Sequence, residues 1–417
     1  MGERAGEGEG REQKNWAIGL IIRGIRMTIQ FTEEQIALRD LAREFFEQEV
    51  RPVMAEIDAR PNPKDCYPAA LVRKASEIGL RTIALPEKYG GVGADAATKA
   101  LLLATMCEVE AGTAKILSQC WKVSQVVVEA GTEAQQKKFL TEFAEDHDYT
   151  CSILMTEPNA GSDNILPYNA PGSGVALTAV PDGESYILNG SKHMSSLVGF
   201  SKLLLVYART DRNKPVRQGT STFLVPPDLP GISFGQVHNK MGFRLYPNGE
   251  TFFDHVRVPK EFMLGKENAG FATFSQIFRG SLEIPATYLG ISKAIYRIVL
   301  DHAKQRVQGG KPIIEHQAVG TMLAEIALLI DTLEGYMWDT ARHLQSDENF
   351  DVNKTRFGKI FACDCVVKVI LLGLDVLGGS GIMRDHPMEK LVRDGLTFLH
   401  GDGTNSINKL RAASLLK

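Results

Sequence analysis

The sequence contains no run of about 18 apolar residues, the length that a membrane-spanning helix requires. Its charges are close to balance, because 47 Lys and Arg residues stand against 50 Asp and Glu residues, a formal net charge of −3. The lack of a basic excess argues against a nucleic-acid partner. With 417 residues the chain exceeds the size that one compact core usually reaches, so two or three domains are expected.

Cysteine is scarce, with six residues, and none of them forms a C-x-x-C pair. The two closest, Cys363 and Cys365, would point away from each other on a helix, which argues against a shared metal ion. We therefore expect no metal site. We expect the cysteines to be small buried residues in a reducing compartment, which predicts a cytoplasmic protein.

The first 26 residues differ from the rest of the chain. Residues 1–14 are rich in Gly and Glu, a composition typical of disorder. Residues 16–25 form a short apolar patch that lacks the basic start and the cleavage site of a signal peptide. We expect residues 1–26 to be disordered or a non-native extension, and Met27 to be the natural start.

Periodicity then divides the chain into three blocks. The block 27–148 is predicted to be helical, because apolar residues recur at helical spacing and Thr32 with Gln35 resembles a capping box at the first helix. The block 149–262 alternates in short runs, at 174–179, 185–188, 203–208 and 221–225, with turn residues at 181–183 and 189–190. These runs predict a small β barrel or sandwich.

The third block, 263–417, is predicted to be a four-helix bundle. Its long segments with apolar stripes are 284–305, 317–344 and 353–377, and the connections between them are short. The fold class is therefore a multidomain α+β protein with an N-terminal helical domain, a middle β domain and a C-terminal bundle.

Seven short strings in this order give the chain a family resemblance. They are T-E-P-N-A-G-S-D at 156–163, I-L-N-G-S-K at 187–192, K-M-G-F-R at 240–244, F-F-D-H-V-R-V-P at 252–259, E-H-Q-A-V at 315–319, G-G-S-G at 378–381 and E-K-L-V-R-D at 389–394. Together they resemble the signatures of the acyl-CoA dehydrogenases, over about residues 31–416. The resemblance implies an FAD enzyme that oxidises an acyl-CoA thioester between Cα and Cβ and passes electrons to an electron-transfer flavoprotein.

The resemblance also assigns flavin-binding residues in the β domain. Thr156 stands where the family bonds the flavin pyrimidine ring, and Ser162 stands where it approaches the diphosphate and the pantetheine of the substrate. Gly161 would allow the backbone to come close to the ligand. Ser196 takes the place of a threonine that bonds flavin N5, and Met194 replaces a tryptophan beside the flavin.

Further FAD contacts are implied in the C-terminal block. Arg306, Gln317 and the turn with Gly378 and Gly379 match family positions that bind the FAD of a neighbouring subunit. A guanidinium suits a diphosphate, although Gly309 replaces the usual phenylalanine near Arg306. Shared FAD sites imply a homo-oligomer, a homotetramer or a homodimer.

The proton-abstracting base is expected to be Asp402. The string L-H-G-D-G-T at 399–404 matches the place where the family usually has Y-E-G-T with a catalytic Glu. Gly401, Asp402 and Gly403 are then substrate-binding residues, and Thr404 also contacts FAD. Asp is shorter than Glu, and Gly401 replaces a tyrosine, so we expect a larger pocket and a branched or cyclic acyl group.

Three other titratable residues are weighed as helpers. Asp95 stands near the acyl pocket of the family, but an Asp there is typical of a helix N-cap. Glu283 lies on the helix where some relatives carry the base, although a polar residue on the helix face is the simpler interpretation. His400 could tune Asp402, but a lone histidine is more often structural.

Two alternatives remain open. Nitroalkane oxidases share the fold and an Asp at the position of Asp402, and Ser281 replaces an arginine that helps bind CoA, with Arg279 two residues earlier. Oxygen consumption with nitroalkanes would favour that class. A flavin-holding, DNA-binding relative is the other alternative, which the mild acidity of the chain disfavours.

Overall fold

The N-terminal block is helical, as predicted. The structure is a computed structural model, and it describes residues 30–416 except 169, 171, 347 and 348. The helices are α1 (Glu33–Phe45), α2 (Arg51–Asp58), α3 (Ala69–Glu77), α4 (Ala96–Cys107), α5 (Ala111–Ala130) and α6 (Glu133–Glu145). The capping box is confirmed, because Gln35 N donates to Thr32 Oγ1 at 3.2 Å and Gln35 Oε1 accepts from Thr32 N at 3.0 Å.

Helices α4 and α5 lie at the centre of the molecule. Almost every residue of α4 is buried, and most of α5 is buried as well. Because an α-helix that is apolar all round must be covered on every side, α4 packs against α1 on one side and against the long C-terminal helix α8, described below, on another. The buried polar residues of α5, Lys115 and Ser118 among them, therefore have to find partners inside the protein.

The middle block is an eight-stranded sheet. Its strands are β1 (Cys151–Leu154), β2 (Thr178–Asp182), β3 (Ser185–Ser196), β4 (Leu203–Arg209), β5 (Thr220–Val225), β6 (Ile232–Val237), β7 (Asn248–Pro259) and β8 (Met263–Leu264). They run in the order β6-β7-β3-β2-β4-β5-β8, and β1 pairs in parallel with β4. The predicted β domain is confirmed.

Two details of the β prediction are wrong. Residues 174–177 of the run 174–179 precede β2 and are not part of a strand. Asn189-Gly190 is not a hairpin turn but an irregularity inside β3, where the pairing with β7 shifts after Leu188. Gly190 has φ +136, and a Cβ there would lie 3.0 Å from Leu177 Cα, so only glycine suits the position.

The C-terminal block contains α7 (Gly270–Ile277), α8 (Glu283–Gln305), α9 (Gln317–Ser346), α10 (Asn353–Leu377), α11 (Pro387–Thr397) and α12 (Asn405–Ala413). A two-stranded ribbon, β9 (Val307–Gln308) with β10 (Lys311–Pro312), joins α8 to α9. Helix α10 contacts α8, α9 and α12, so the helical bundle is confirmed. Its core continues into the N-terminal helices through α4 and α8.

All six cysteines are free and buried, which confirms their interpretation as small core residues. Within the described part of the chain, no helix is both long and apolar enough to cross a bilayer. The predictions for residues 1–26 fall outside the described residues.

Candidate active site

A buried group of charged side chains lies where the N-terminal helices meet the bundle. Glu283, the first residue of α8, accepts at Oε1 from Lys115 Nζ and from the Ser118 hydroxyl at 2.9 Å, and its Oε2 contacts Lys122 Nζ. Lys122 Nζ also lies 3.6 Å from Asp402 Oδ2. The two lysines stand seven residues apart on α5, and therefore on one face of that helix. We call these five residues the charged cluster.

The charges in this cluster stabilise one another. Burial opposes ionisation of Glu283, but Lys115 and Lys122 outweigh it and hold the pKa of that carboxyl well below its usual range. Burial likewise opposes the charge of Lys122, and the carboxylates of Asp402 and Glu283 outweigh it and raise its pKa. Glu283 and Lys122 are therefore an ion pair at neutral pH, with Asp402 beside the same ammonium.

The turn that carries Asp402 is held by side chains from two helices. Asp402 has φ +53, a left-handed conformation that a non-glycine residue adopts only when its surroundings fix it. Lys359 Nζ of α10 donates to the carbonyls of Leu399 at 3.1 Å and Gly403 at 2.8 Å. Asn408 Nδ2 of α12 donates to Gly403 O at 3.1 Å. The Asp402 side chain itself is 47% exposed, so it faces a solvent-accessible space.

The turn with Asp402 meets the loop that follows β1. The Thr404 N–H donates to Ser162 Oγ at 3.2 Å, and Thr404 is also the N-cap of α12. Gly403 packs against Ile165 of the same loop, where a Cβ would come 2.6 Å from Ile165 Cδ1. The structure thus brings the string at 156–163 into contact with the string at 399–404, more than 200 residues later in the sequence. The family resemblance assigns these two strings to FAD and to the substrate.

The T-E-P loop is anchored by a buried ion pair. Lys192 Nζ of β3 lies 2.7 Å from Glu157 Oε1, and burial lowers the pKa of Lys192 to about 8 against the opposing effect of Glu157. Glu157 also accepts from the N–H groups of Ala176 and Leu177. The half-buried Thr156 precedes this anchor and bonds β3 through its carbonyl, which accepts from His193 N at 2.8 Å. The exposed Gly161 follows, and apart from its chain neighbours no described residue has an atom within 4 Å of the place where its Cβ would be.

The residues around Ser196 fit a flavin edge. Ser196 is buried at the end of β3, and Tyr246, whose pKa burial raises, stands between Ser196 and the charged cluster. The Tyr246 hydroxyl donates to Gln119 Oε1 at 3.1 Å, whereas Gln119 Nε2 and the neighbouring Ser195 hydroxyl are buried without a partner among the described residues. Buried polar atoms without partners are costly, and a polar ring edge at Ser196 would give Gln119 Nε2 an acceptor, whereas Ser195 points to the other face of β3.

A cavity of about 280 Å³ adjoins the charged cluster. Its lining includes Lys99 and Ala100 of α4, Trp121 and Lys122 of α5, and Glu283 of α8. Gly401 adds no open space, because a Cβ there would lie 2.6 Å from the ring of Phe398. The pocket was expected to be larger because Gly401 replaces a tyrosine, but Phe398 fills that space and also packs on Phe243.

The remaining sites assigned to FAD lie at the other end of the bundle. Arg306 caps the C-terminus of α8, which is about 33 Å from Glu283 at 1.5 Å per residue. Gln317 begins α9, and Gly378 and Gly379 follow α10; all four residues are exposed. Within one chain the structure does not bring them to Asp402.

The helper residues have clear places. Asp95 is the N-cap of α4, with Oδ1 accepting from Thr98 N at 2.7 Å, so the cap prediction is confirmed. The interpretation of Glu283 as a polar residue on a helix face is wrong, because Glu283 is buried between lysines. His400 is exposed, and Ser281 and Arg279 line the cavity with Glu283.

Lys115, Lys122 and Ser118 were missed in the sequence. Because lysine is rarely buried, a lysine in α5 is most simply interpreted as a residue on the exposed side of the helix. Their spacing could have revealed them, because Lys115, Ser118 and Lys122 share one helix face within an otherwise apolar segment.

Comparisons with known proteins agree with this architecture. Three family descriptions match: "Acyl-CoA dehydrogenase, N-terminal domain" over residues 32–147, "middle domain" over 152–256 and "C-terminal domain" over 268–416. The solved butyryl-CoA dehydrogenase of Megasphaera elsdenii superposes with a TM-score of 0.86 at 28% identity, covering 94% of this chain and 100% of that one.

Curated relatives cover nearly the whole chain. An acyl-CoA dehydrogenase of Bacillus subtilis is 32% identical over 384 residues, 91% of this chain and 97% of the relative. A cyclohex-1-ene-1-carbonyl-CoA dehydrogenase of Syntrophus aciditrophicus is 30% identical over 387 residues, 91% of this chain and 89% of the relative. The chain therefore belongs to the acyl-CoA dehydrogenase family of FAD-dependent enzymes, and it is an oxidoreductase that acts on CH–CH bonds.

Proposed function

We propose that the protein desaturates an acyl-CoA thioester between Cα and Cβ, and that Asp402 removes the α proton. The observation that carries this proposal is the contact between Thr404 and Ser162, because it sets Asp402 at the junction of the two ligand-binding strings. Lys122 lies on the buried side of the Asp402 carboxylate, and the rest of the Asp402 side chain is accessible to solvent.

The charged cluster suits a carboxylate base. A base must be ionised before it accepts a proton, and Lys122 Nζ places a positive charge 3.6 Å from Asp402 Oδ2. When Asp402 becomes neutral, Lys122 keeps its ion pair with Glu283, so no buried charge is left without a partner. The N–H of Asp402, by family resemblance, helps bind the thioester carbonyl.

The residues present fit FAD at one edge of the site. Thr156, Gly161, Ser162, Ser196 and Thr404 would hold it, and the flavin would supply the hydride acceptor for the oxidation. The N–H and hydroxyl groups of these residues would offer the ring uncharged polar contacts.

A complete FAD site requires a second subunit. The end of α8, which Arg306 caps, lies about 33 Å from Glu283 by the helix rise, and Arg306, Gln317, Gly378 and Gly379 are all exposed. They are available to the FAD of a neighbouring chain, which supports a homotetramer or homodimer. An electron-transfer flavoprotein is the proposed acceptor, as the family resemblance implies.

The acyl group is proposed to be branched or cyclic. Gly401 does not support this proposal, because Phe398 fills the space next to it. The support comes from the cavity, whose lining includes the small residues Ala96, Ala100 and Gly280. The relative named for cyclohex-1-ene-1-carbonyl-CoA agrees with a wide acyl site.

Anaerobic titration of the flavin-loaded protein tests this proposal. Straight, branched and cyclic acyl-CoAs are added in turn, and the visible absorbance of the oxidised flavin is followed. Bleaching by thioesters, strongest with a branched or cyclic one, is expected. Bleaching only by straight chains would refute the acyl assignment, and oxygen consumption with nitroalkanes but no bleaching by any thioester would refute the reaction.

A further inference from the structure

The cavity beside the charged cluster has an unusual balance of charge for a site that holds an acyl chain. It lies between α4, α5, the turn from α7 to α8 and the end of α9, and it shares Ser118, Lys122 and Glu283 with the charged cluster. Its walls are largely apolar, formed by Ala96, Ala100, Leu103, Trp121, Ile277, Phe278, Leu282 and Leu344. Apolar walls with a few convergent polar groups are typical of ligand sites.

Lys99 is a cation in this cavity that lacks a carboxylate partner. Its Nζ donates to the amide oxygen of Gln125 at 2.6 Å, and no carboxylate of the described residues lies within 4.0 Å of it. Gln125 is oriented by its own amide group, which donates to Glu129 Oε1 at 2.6 Å. A neutral oxygen is a weak partner for an ammonium that apolar walls partly desolvate.

The two carboxylates that line the cavity, Asp95 and Glu283, have hydrogen-bonding partners other than Lys99. Asp95 accepts from Thr98 N and, at 2.6 Å, from Gln345 Nε2, while Glu283 is held by Lys115, Lys122 and Ser118. Burial lowers the pKa of Lys99, although Glu129, Asp95 and Glu283 act in the opposite direction. The exposed Arg279 lines the same cavity and adds a second positive charge. Three cations, Lys99, Lys122 and Arg279, therefore line the cavity against two carboxylates, an excess of one positive charge.

We propose that this cavity accepts an acyl group whose far end carries a carboxylate, and that Lys99 binds that carboxylate. The inference rests on the proposed function, because it assigns the substrate class of the same site. A terminal carboxylate would give Lys99 a charge-assisted hydrogen bond, and the branched or cyclic carbon skeleton before it would lie along the apolar walls. Lys99 is then a residue that determines specificity and takes no part in the proton transfer.

The test compares pairs of substrates with the flavin-loaded protein. Each pair is an ω-carboxyacyl-CoA and the neutral acyl-CoA of the same chain length, over several lengths, and kcat/KM is measured with an artificial electron acceptor. At the best length we expect the ω-carboxy substrate to be preferred about tenfold or more, the usual effect of a charge-assisted contact. This comparison in the wild type depends on no variant.

The Lys99→Met variant then assigns the preference to one side chain. It should lower kcat/KM about tenfold to a hundredfold for the ω-carboxy substrate and leave the neutral partner within about twofold. Lys99→Gln, which keeps a donor without the charge, should lose most of the preference as well. Lys137→Met changes an exposed lysine on α6 and is the matched control, with no change in the ratio.

The outcomes separate this inference from the proposed function. Oxidation of neutral thioesters together with rejection of ω-carboxy ones would overturn the inference alone. Equal losses for both substrates in Lys99→Met would also overturn it, because Lys99 would then be structural. Failure of every thioester to reduce the flavin would overturn both proposals.

Discussion

Glu283 shows how a single residue can join two parts of the molecule. It is the first residue of α8, yet its partners Lys115, Ser118 and Lys122 all come from α5. A buried carboxylate between two ammonium groups has a large desolvation cost, which its partners offset. This explains why the two lysines can be buried, and why the sequence, which shows each residue without its partner, could not reveal them.

The ion pairs of Glu283 predict how stability depends on pH. Because its pKa is lowered on folding from an ordinary value of 4.5, Glu283 stabilises the folded state above that pH, and the contribution is lost as pH falls through the folded pKa. Lys122 has a raised pKa, so its contribution is complete at neutral pH and is lost only at strongly alkaline pH. Glu283→Gln should therefore cost about 3–5 kcal/mol at pH 7.

Denaturant unfolding of wild type and Glu283→Gln measures this difference. The difference in the free energy of unfolding should be constant from about pH 6 to pH 8 and should shrink below about pH 4.5. Glu142→Gln breaks an exposed pair with Lys138 and serves as control, with a change within about 1 kcal/mol. A difference near zero at pH 7, or one that grows on acidification, would contradict the assignment.

At the scale of elements, the turn between α11 and α12 is the most constrained part of the site. Lys359 is buried on α10 and donates to Leu399 O, Gly403 O and, at 2.8 Å, Asn405 Oδ1. Three bonds from one ammonium fix a turn that includes the left-handed Asp402. The family resemblance placed Asp402 in this turn, but the side chain that holds the turn comes from a helix 40 residues earlier.

Lys359→Met should slow catalysis without loss of the fold. Since a displacement of about 1 Å at a catalytic group can cost about a hundredfold in rate, we expect flavin reduction by substrate to slow between about tenfold and a hundredfold. Stopped-flow absorbance measures this rate, and the flavin content should stay unchanged. Lys368→Met, on the exposed side of α10 and paired with Glu325, is the control. Equal rates for both variants would show that the turn does not depend on Lys359.

The same scale shows which elements a sequence can predict. The start of α8 at residue 284 and the ends of α10 at 353 and 377 were predicted within one residue, because long apolar stripes and short connections mark them. Asn189-Gly190 was predicted as a turn, because that dipeptide is typical of hairpins. Instead it is an irregularity in β3, where the approach of Leu177 requires glycine. Tertiary contacts of this kind have no local signal.

For the whole molecule, we propose that the surface of the bundle forms the contact between subunits. Large apolar side chains are exposed on it, including Leu328 on α9 at 64% and Leu371 on α10 at 58%, with Ile382 at 67% after α10. In the proposed oligomer, a partner subunit would cover these apolar side chains. They are on the domain that carries Arg306, Gln317, Gly378 and Gly379, the residues proposed to reach a neighbouring FAD.

Leu328→Glu combined with Leu371→Glu should weaken the oligomer. A charge buried in an apolar contact is costly, so sedimentation velocity should show a smaller species, and the purified protein should retain less flavin because the FAD site loses its second subunit. Val180→Glu, on the exposed face of β2, is the matched control with an unchanged oligomer. A double variant of unchanged size and flavin content would refute the shared site.

The central claim, that Asp402 is the proton-abstracting base and Glu283 is its buried neighbour, is tested most directly by pre-steady-state flavin reduction. Asp402→Asn and Glu283→Gln, each purified with FAD bound, are mixed anaerobically with the best thioester. We expect Asp402→Asn to slow bleaching by about 10²-fold to 10⁴-fold while it leaves flavin bound, and Glu283→Gln to slow bleaching far less. Rapid bleaching by Asp402→Asn, with the loss found instead in Glu283→Gln, would contradict the claim and assign the base to Glu283.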